Sequence, residues 1–288
     1  MIVVVDSGST KADWQFLTSE GKAELLNTRG FNPFLHPTEE IYQAVMEAFI
    51  GEVEFHEISE VHYYGAGCSD AYRCSIVEKA LVQAFPKAKV LVEHDLLAAA
   101  RATLANQPGI ACILGTGSNS CSYDGTNVLD NVTNLGHILG DEGSGCHLGK
   151  ALVTSYFYRE LPAELVEKFE EAYTSNKRTI LNNIYSEKPN VYLASFSRFM
   201  GENKEHPFIR NLVHKSFKEF ISRHVLKYEG FTQYSVSFVG SIAHHFAAEL
   251  GEELEAHGLT LGAVVQRPID KLSAFHLNSE NQPSLGDQ

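Results

Sequence analysis

Short apolar runs alternate with longer amphipathic stretches along this chain, and the two patterns predict different elements. A short apolar run between polar or glycine-rich segments is typical of a buried strand, whereas apolar residues spaced three and four apart are typical of a helix. The strand pattern occurs at 2–5, 14–17, 61–64, 89–92, 110–114, 121–123 and 235–239. The helical pattern occurs at 38–50, 69–85, 95–106, 143–158 and 242–257, and through most of 162–229, including an amphipathic piece at 207–228. Strands that alternate with helices favour an α/β fold, and we predict that Thr38 and Ser69 cap the first two helices.

Two of the predicted strands run directly into loops of small residues. Residues 2–5 precede Asp-Ser-Gly-Ser-Thr, and residues 110–114 precede Gly-Thr-Gly-Ser, so that Gly8-Ser9 aligns with Gly117-Ser118. Each loop is followed by a second short strand and a turn, at residues 19–21 and at Asp124-Gly125, and Asp-Gly is a strong hairpin signal. This repeated pattern predicts a duplicated hairpin module, and the alternative is that the two Gly-Ser turns are unrelated.

The first loop carries groups that suit a metal-bound phosphate. Asp6 presents a carboxylate at the strand end, and Ser7, Gly8, Ser9 and Thr10 offer backbone N–H groups and hydroxyls to an anion. A carboxylate beside an anion cradle fits Mg²⁺ with phosphate, because Mg²⁺ takes few carboxylates and completes its shell with water and phosphate oxygens. An edge hairpin with a Gly-Ser turn and a capping aspartate would have the same sequence.

Three further segments are candidates for chemistry. Asp95 follows a strand and opens an alanine-rich helix, where it fits either a helix cap or a general base that accepts a proton from a hydroxyl. The segment 136–145 has the densest glycine cluster of the chain, which would let a ligand approach the backbone, and Asp141 within it can accept hydrogen bonds from sugar hydroxyls. Gly240-Ser241 forms a third junction from strand to helix and could flank an adenine or a ribose.

Composition narrows the class of protein. The chain has 288 residues and a formal net charge of −13, which argues against nucleic acid and anionic membrane partners because both need basic patches. No run reaches the length of a membrane helix, and the sequence begins at once with a strand, so we expect a cytoplasmic protein without a signal peptide. The five cysteines have no C-x-x-C spacing and are expected to be reduced thiols. There is no P-loop, no G-x-S-x-G and no protein-kinase catalytic-loop signature.

The motifs, taken in order, resemble the BadF/BadG/BcrA/BcrD ATPase family, and within it the N-acetylglucosamine kinases of the actin-like ATPase and sugar kinase superfamily. The resemblance extends from Val3 to about His276. It is carried by Asp-Ser-Gly-Ser-Thr-Lys at 6–11, Gly-Phe-Asn-Pro-Phe at 30–34, Gly-Ala-Gly-Cys at 65–68, Gly-Thr-Gly-Ser-Asn-Ser at 115–120, Leu-Gly-Asp-Glu-Gly-Ser-Gly at 139–145 and Phe-Val-Gly-Ser at 238–241. The first loop has serines where the family commonly has two glycines.

The resemblance implies a two-lobed actin-like ATPase fold, of the ribonuclease H-like type, with duplicated domains and a cleft between them. We expect an N-terminal lobe at 1–107, a C-terminal lobe at 108–276 with a helical insertion at about 160–229, and a polar tail at 277–288. The implied activity is ATP-dependent phosphorylation of an amino sugar, with N-acetylglucosamine at its 6-hydroxyl as the first choice. Homodimerisation is expected by analogy with the family.

The resemblance also assigns roles to individual residues. Asp6 would hold Mg²⁺ through water, and Asp95 would be the general base. The phosphates of ATP would be bound by Ser7, Gly8, Ser9, Thr10 and Lys11 and by Gly115, Thr116, Gly117 and Ser118, with adenosine at Gly240 and Ser241. The sugar would be held by Asn32, Gly136, His137 and Asp141. Three alternatives stay open: a kinase for N-acetylmuramic acid or another hexosamine, a non-catalytic sugar or nucleotide sensor, and an ATPase that activates acyl-CoA dehydratases, for which Cys146 is the relevant cysteine.

Overall fold

The structure, a computed structural model, describes residues 1–8, 10–18, 23–173 and 176–280, and it divides into two compact units. The first unit comprises Met1–Ala105 together with the C-terminal segment from Pro268, and the second comprises Asn106–Arg267. The predicted second lobe extends to residue 276, whereas in the structure the residues from Pro268 onward belong to the first unit. Continuity along the chain could not predict this return, because it depends on which surface the last helix covers.

Within the described residues, the first unit forms a five-stranded mixed sheet in the order β3-β2-β1-β4-β5. The strands are β1 (Ile2–Ser7), β2 (Lys11–Leu17), β3 (Ala23–Arg29), β4 (Glu60–Gly65) and β5 (Lys89–His94). The helices are α1 (Thr38–Phe49), α2 (Ala71–Ala84), α3 (Asp95–Leu104) and α13 (Ile269–Glu280), the last numbered by its place in the chain. Strands β1 and β2 form the predicted hairpin, while β1, β4 and β5 run parallel to one another.

The second unit repeats this topology in the part that the structure describes, with five strands in the order β10-β9-β6-β7-β8. The strands are β6 (Gly109–Leu114), β7 (Ser118–Tyr123), β8 (Val128–Asp130), β9 (Ser235–Val239) and β10 (Thr260–Val265). The helices are α4 (Gly136–Leu139), α5 (Gly145–Phe157), α6 (Ala163–Ala172), α7 (Lys177–Ile184), α8 (Pro189–Ser195), α9 (Ser197–Glu202), α10 (Pro207–Arg223), α11 (Ser241–His245) and α12 (Ala247–Ala256).

The two sheets have the same strand order and the same pattern of parallel and antiparallel pairs. In each sheet the central strand, β1 or β6, forms a hairpin with the next strand along the chain, and a further antiparallel strand follows at the outer side of that hairpin. On its other side the central strand is followed by two parallel strands. The duplication inferred from the two Gly-Ser loops is therefore confirmed at the level of topology. Each sheet buries its own apolar core, built around Trp14, Phe49 and Tyr63 in the first unit and around Phe169 and Phe217 in the second.

Several local predictions differ from the structure. Pro37 rather than Thr38 occupies the cap of α1, and Asp70 rather than Ser69 caps α2 by accepting a hydrogen bond from the Arg73 N–H at 2.9 Å. The predicted helix 242–257 is interrupted at Phe246, and α10 ends at Arg223. Strands β3, β8 and β10 and helices α4 and α13 were not predicted. Strand β3 is largely exposed along its length, so its sequence lacks the alternation that marks a half-buried strand.

None of the helices in the described ranges combines the length and the apolarity that a membrane crossing requires.

Candidate functional site

The carboxyl ends of the parallel strands β1, β4 and β5 lie side by side at one edge of the first sheet. Ser7 is level with Gly65, and Gly65 is level with His94. Neighbouring strands are about 4.8 Å apart, so Ser7 and His94 are separated by roughly 10 Å across this edge. Asp6 immediately precedes the row and Asp95 immediately follows it, because β5 passes into α3 without a loop. The fold therefore brings the predicted metal residue and the predicted base to one edge.

The loop after β1 is tight and lies directly against the segment that follows β3. The Gly8 N–H donates to the Lys11 carbonyl oxygen at 3.0 Å, and the Ser7 hydroxyl accepts from the Phe31 N–H at 3.2 Å. A Cβ atom at Gly30 would lie 1.9 Å from the Gly8 carbonyl oxygen, so that position requires glycine. Thr10 is exposed in this loop, and Ser9 lies outside the described residues.

Two carboxylates stand opposite each other at the base of this loop. Asp6 pairs with Asp13 in the antiparallel register of β1 and β2, which places their Cβ atoms about 5 Å apart on one face. The Asp13 carboxylate lies 2.7 Å from the Lys11 ammonium and accepts from the Asn27 amide at 2.7 Å. One or two carboxylates are the donor set that Mg²⁺ takes from a protein, so the residues present fit that ion. The ion pair with Lys11 balances the charge of the Asp13 carboxylate.

Asn32 is held beside the glycine-rich segment that follows β4. Its side-chain oxygen accepts from the Phe34 N–H at 2.9 Å, and a Cβ atom at Gly67, where φ is +82°, would lie 2.6 Å from that oxygen. The side-chain NH₂ group keeps two donors that Asn32 can offer to a ligand.

Asp95 is paired with the residue that precedes it. The His94 Nδ1 atom lies 2.6 Å from one Asp95 carboxylate oxygen, and the Asp95 side chain is 24% exposed. Burial lowers the pKa of His94, but the neighbouring Asp95 carboxylate outweighs burial, so that the pKa is raised. The same Nδ1 accepts from the Leu96 N–H at 3.0 Å, so His94 rather than Asp95 caps α3, and the adjacent Asp95 oxygen has no hydrogen-bond partner among the described residues. His94 was not among the residues predicted from the sequence, yet it lies against the predicted base.

The loop after β6 is the counterpart of the first loop in the second unit. The Gly115 N–H donates to the Gly117 carbonyl oxygen at 3.0 Å, and the first amides of α5 donate to the loop, from Gly145 to Gly115 at 2.8 Å and from Cys146 to Thr116 at 3.1 Å. Gly240, with φ of +116°, lies against the start of this loop, since its Cβ atom would be 2.3 Å from the Leu114 carbonyl oxygen. The second loop and the third glycine junction therefore meet.

Asp141 and Asn134 tie this loop to the glycine cluster. One Asp141 oxygen, Oδ1, accepts from the Ser118 N–H at 3.1 Å and from the Asn134 side-chain amide at 2.9 Å. The same amide group contacts the Ser118 carbonyl oxygen, and the Asn134 side-chain oxygen accepts from the Gly136 N–H. Asp141 is buried and has a left-handed φ of +60°, which aspartate tolerates better than most residues. The sequence carried no local signal for Asn134, whose role depends on its loop folding onto Ser118 and Asp141.

The structure therefore assembles most of the predicted residues within their own units. Asp6, Ser7, Gly8, Thr10, Lys11, Asn32 and Asp95 lie at the edge of the first sheet or in the loops beside it, and Gly115, Thr116, Gly117, Ser118, Gly136, Asp141 and Gly240 lie together in the second unit. His137 contributes its carbonyl oxygen to Lys150 at 2.7 Å, and no hydrogen bond among the described residues joins it to Asp141. Ser241 is exposed at the start of α11.

Comparison with solved structures identifies a full-length relative. The chain is 39% identical to a candidate N-acetylglucosamine kinase from Porphyromonas gingivalis, with a TM-score of 0.91 over 97% of this chain and 100% of that one. The chain belongs to this sugar kinase family. Comparison with protein-family models and with curated protein sequences gives no match.

More distant structures share the fold of this sugar kinase family. A candidate N-acetylglucosamine kinase from Chromobacterium violaceum is 14% identical, with a TM-score of 0.70 over 95% of this chain and 98% of that one. A ROK family glucokinase from Streptomyces griseus, solved with glucose and AMPPNP, is 16% identical, with a TM-score of 0.54 over 92% and 93% of the two chains. These likenesses, with the two matching sheets, confirm the actin-like ATPase fold.

Proposed function

We propose that this chain is an ATP-dependent kinase that phosphorylates an amino sugar, N-acetylglucosamine at its 6-hydroxyl being the first candidate. The observation that carries the proposal is the edge of the first sheet, where three parallel strands end in one row with Asp6 on one side and Asp95 on the other. The name of the 39% identical relative supports the same activity and the same sugar. The resemblance to the BadF/BadG/BcrA/BcrD ATPases, noted from the motifs, agrees with both.

In this proposal separate segments of the chain supply the metal, phosphate and adenosine contacts. Asp6 holds Mg²⁺ through water, and the loops at 7–11 and 115–118 bind phosphates through backbone N–H groups and small hydroxyls. Mg²⁺ supplies neutralisation of the charge on the transferring phosphoryl group, which is the main requirement of phosphoryl transfer together with positioning. Gly240 and Ser241 contact adenosine.

Asp95 acts on the acceptor. One carboxylate oxygen, Oδ1, lies 2.6 Å from His94 Nδ1, which leaves the other oxygen to accept the proton of the attacking hydroxyl. Asn32 offers its NH₂ group to the sugar, and Asp141 offers the oxygen, Oδ2, that does not hold the Ser118 N–H. Gly136 and His137 complete the sugar contacts of the proposal.

The activator alternative gains no support from the described residues. Cys146 is buried in α5, where burial raises the pKa of its thiol to about 11, and no group of three or more metal-ligating side chains occurs within the described ranges. A buried protonated thiol is a poor ligand for a cluster at a protein surface.

The decisive experiment is an ADP-release assay of the purified chain against a panel of hexoses, N-acetylhexosamines and N-acetylmuramic acid. We expect ADP release with an amino sugar and a fall in kcat of about 10²- to 10⁴-fold for Asp95→Asn, with AMPPNP binding retained. Asp70→Asn is the matched control, because Asp70 caps α2 in the same unit and asparagine caps equally well. Turnover within a few-fold of the native value in Asp95→Asn would remove Asp95 as the base, and no release with any sugar would refute the kinase.

A further inference from the structure

A second cavity lies within the first unit and contains none of the residues assigned to phosphoryl transfer. Its volume is about 320 Å³, and it is lined by His62 and Tyr64 of β4, Leu91 and Glu93 of β5, Arg101 of α3, and Phe275 and His276 of α13. Side chains of β4 and β5 at these positions point away from the core that α1 and α2 cover, because their neighbours Val61, Tyr63, Val90 and Val92 belong to that core. The cavity therefore lies on the side of the sheet where α3 and α13 pack together.

Arg101 carries an uncompensated charge in this cavity. One guanidinium nitrogen, Nη1, donates to the Tyr64 hydroxyl at 2.6 Å, while Nε is buried without a hydrogen-bond partner. The guanidinium carbon lies 5.2 Å from the centre of the Phe275 ring, and among the described residues no ion pair joins Arg101 to an acidic side chain. A partly buried cation with aromatic neighbours and no paired carboxylate is costly unless an anion joins it.

Two histidines line the cavity beside Tyr64 and Arg101. The His62 and His276 rings stack with their centres 3.9 Å apart, and the Tyr64 hydroxyl lies 2.8 Å from His276 Nε2. Because the Tyr64 oxygen accepts from Arg101, its proton points to His276 Nε2, and the other ring nitrogen of His276 carries the hydrogen. Burial, and then the neighbouring His62 and Arg101, lower the pKa of His276 to about 3, and burial also lowers the pKa of His62, so that both rings are neutral at pH 7 and Arg101 supplies the positive charge of the cavity.

The acidic residues nearby limit the kind of anion that would bind. Glu60 is engaged by His62 Nε2 at 2.9 Å, but Glu93 lines the cavity and repels an anion. A phosphomonoester carries a charge of about −1.5 to −2 at pH 7, so at a position nearer to Arg101 than to Glu93 its net attraction is larger than that of a monoanion. The guanidinium plane also matches two phosphate oxygens at once.

We propose that this cavity is a binding site for a small phosphomonoester, with the phosphate on Arg101 and the organic part against Phe275, Tyr64 and Leu91. The volume is at the lower end of the roughly 300–1,000 Å³ of small-ligand pockets, which suits a phosphate with one small ring. The site is distinct from the proposed kinase chemistry and does not depend on it.

The test is a titration of the full chain, labelled with ¹⁵N-histidine, with inorganic phosphate and with phenyl phosphate. AMPPNP and Mg²⁺ are present in excess, so that any nucleotide site is filled before the titration begins. We expect saturable shifts of the His62 and His276 ring signals, with phenyl phosphate binding more tightly than inorganic phosphate. Shifts that do not saturate, or that spare both histidines, would overturn the proposal, and equal affinities would overturn the role of the apolar wall.

Charge variants of opposite sign make the test specific. Arg101→Gln should weaken phenyl phosphate about tenfold or more, because a charged hydrogen bond contributes at least about 1.5 kcal/mol. Glu93→Gln should tighten binding up to a few-fold, as for an exposed charge pair. Arg29→Gln is the matched control, since Arg29 is paired with Glu40 at 2.8 Å and lies outside the cavity.

Two measurements distinguish loss of the binding site from misfolding of a variant. Trp14, the single tryptophan, lies in the core of the same unit, so its fluorescence reports whether Arg101→Gln keeps the native fold. If Arg101→Gln is unfolded, Glu93→Gln decides, because its exposed position tolerates the change: unchanged or weaker binding there contradicts the site. Native affinity in a folded Arg101→Gln variant would contradict it equally.

Discussion

Replacing Asn134 by aspartate should turn the link between the second loop and the glycine cluster into a repulsion that depends on pH. The Asn134 amide donates to the buried carboxylate of Asp141 at 2.9 Å and contacts the Ser118 carbonyl oxygen. Asn134→Asp removes both donors and places a second carboxylate against the first. Two unit charges at 4 Å repel by about 4 kcal/mol at an effective dielectric constant of 20.

Proton uptake sets an upper bound on this cost. The variant escapes the repulsion by protonating one carboxyl group, which costs about 1.36 kcal/mol for each pH unit above its ordinary pKa of about 3.9. The charge penalty is therefore at most about 4 kcal/mol at pH 7 and about 1.5 kcal/mol at pH 5. The sign follows from linkage: the folded state binds more protons than the unfolded state, so the stability of the variant falls as pH rises.

Urea unfolding followed by far-UV circular dichroism at pH 5 and pH 7 measures this difference. Asn134→Ala removes the same donors without adding charge, so its loss of about 1–3 kcal/mol should not change with pH relative to the native chain. Asn131→Asp is the second control, because the Asn131 amide donates to Asn119 at 3.0 Å and to the Ser120 carbonyl oxygen at 2.7 Å, with no carboxylate among these acceptors. The reasoning is refuted if Asn134→Asp and Asn134→Ala lose the same stability at both pH values.

Two further predictions concern packing and pH. Gly149→Ala in α5 should lower the free energy of unfolding by about 1–3 kcal/mol, because its Cβ atom would lie 1.8 Å from the Leu193 carbonyl oxygen. Gly251→Ala in α12, where the nearest atom is 3.5 Å away, should instead gain up to about 1 kcal/mol, and equal thermal shifts would contradict the packing argument. The raised pKa of His94 means that its pairing with Asp95 stabilises the fold fully below about pH 6.5 and is lost as pH rises through the folded pKa. A His94→Gln variant should therefore lack this part of the decline in melting temperature above pH 6.5, and a decline identical to that of the native chain would contradict the pairing.

Much of the fold could be predicted from local pattern. The apolar runs that precede Asp6 and Gly115 are continuous and sharply bounded, and each leads into a loop of small residues, so they predicted the two hairpins and their duplication. The polar strand β3 and the helix α13 could not be predicted in the same way. An exposed edge strand needs no apolar alternation, and the return of α13 to the first unit depends on a surface that is distant in sequence.

For the candidate site, too, one part could be predicted from the sequence and another part depended on the fold. The sequence by itself determined which residues could carry chemistry, since a carboxylate at a strand end and glycines in a tight loop have few alternatives. Only the tertiary structure decided which of them meet: the parallel register places Ser7, Gly65 and His94 in one row, and the loop at Asn134 folds onto Ser118 and Asp141. The strand register is set by packing between residues far apart in the chain, and neither that register nor the folding of the loop at Asn134 leaves a mark on the local sequence.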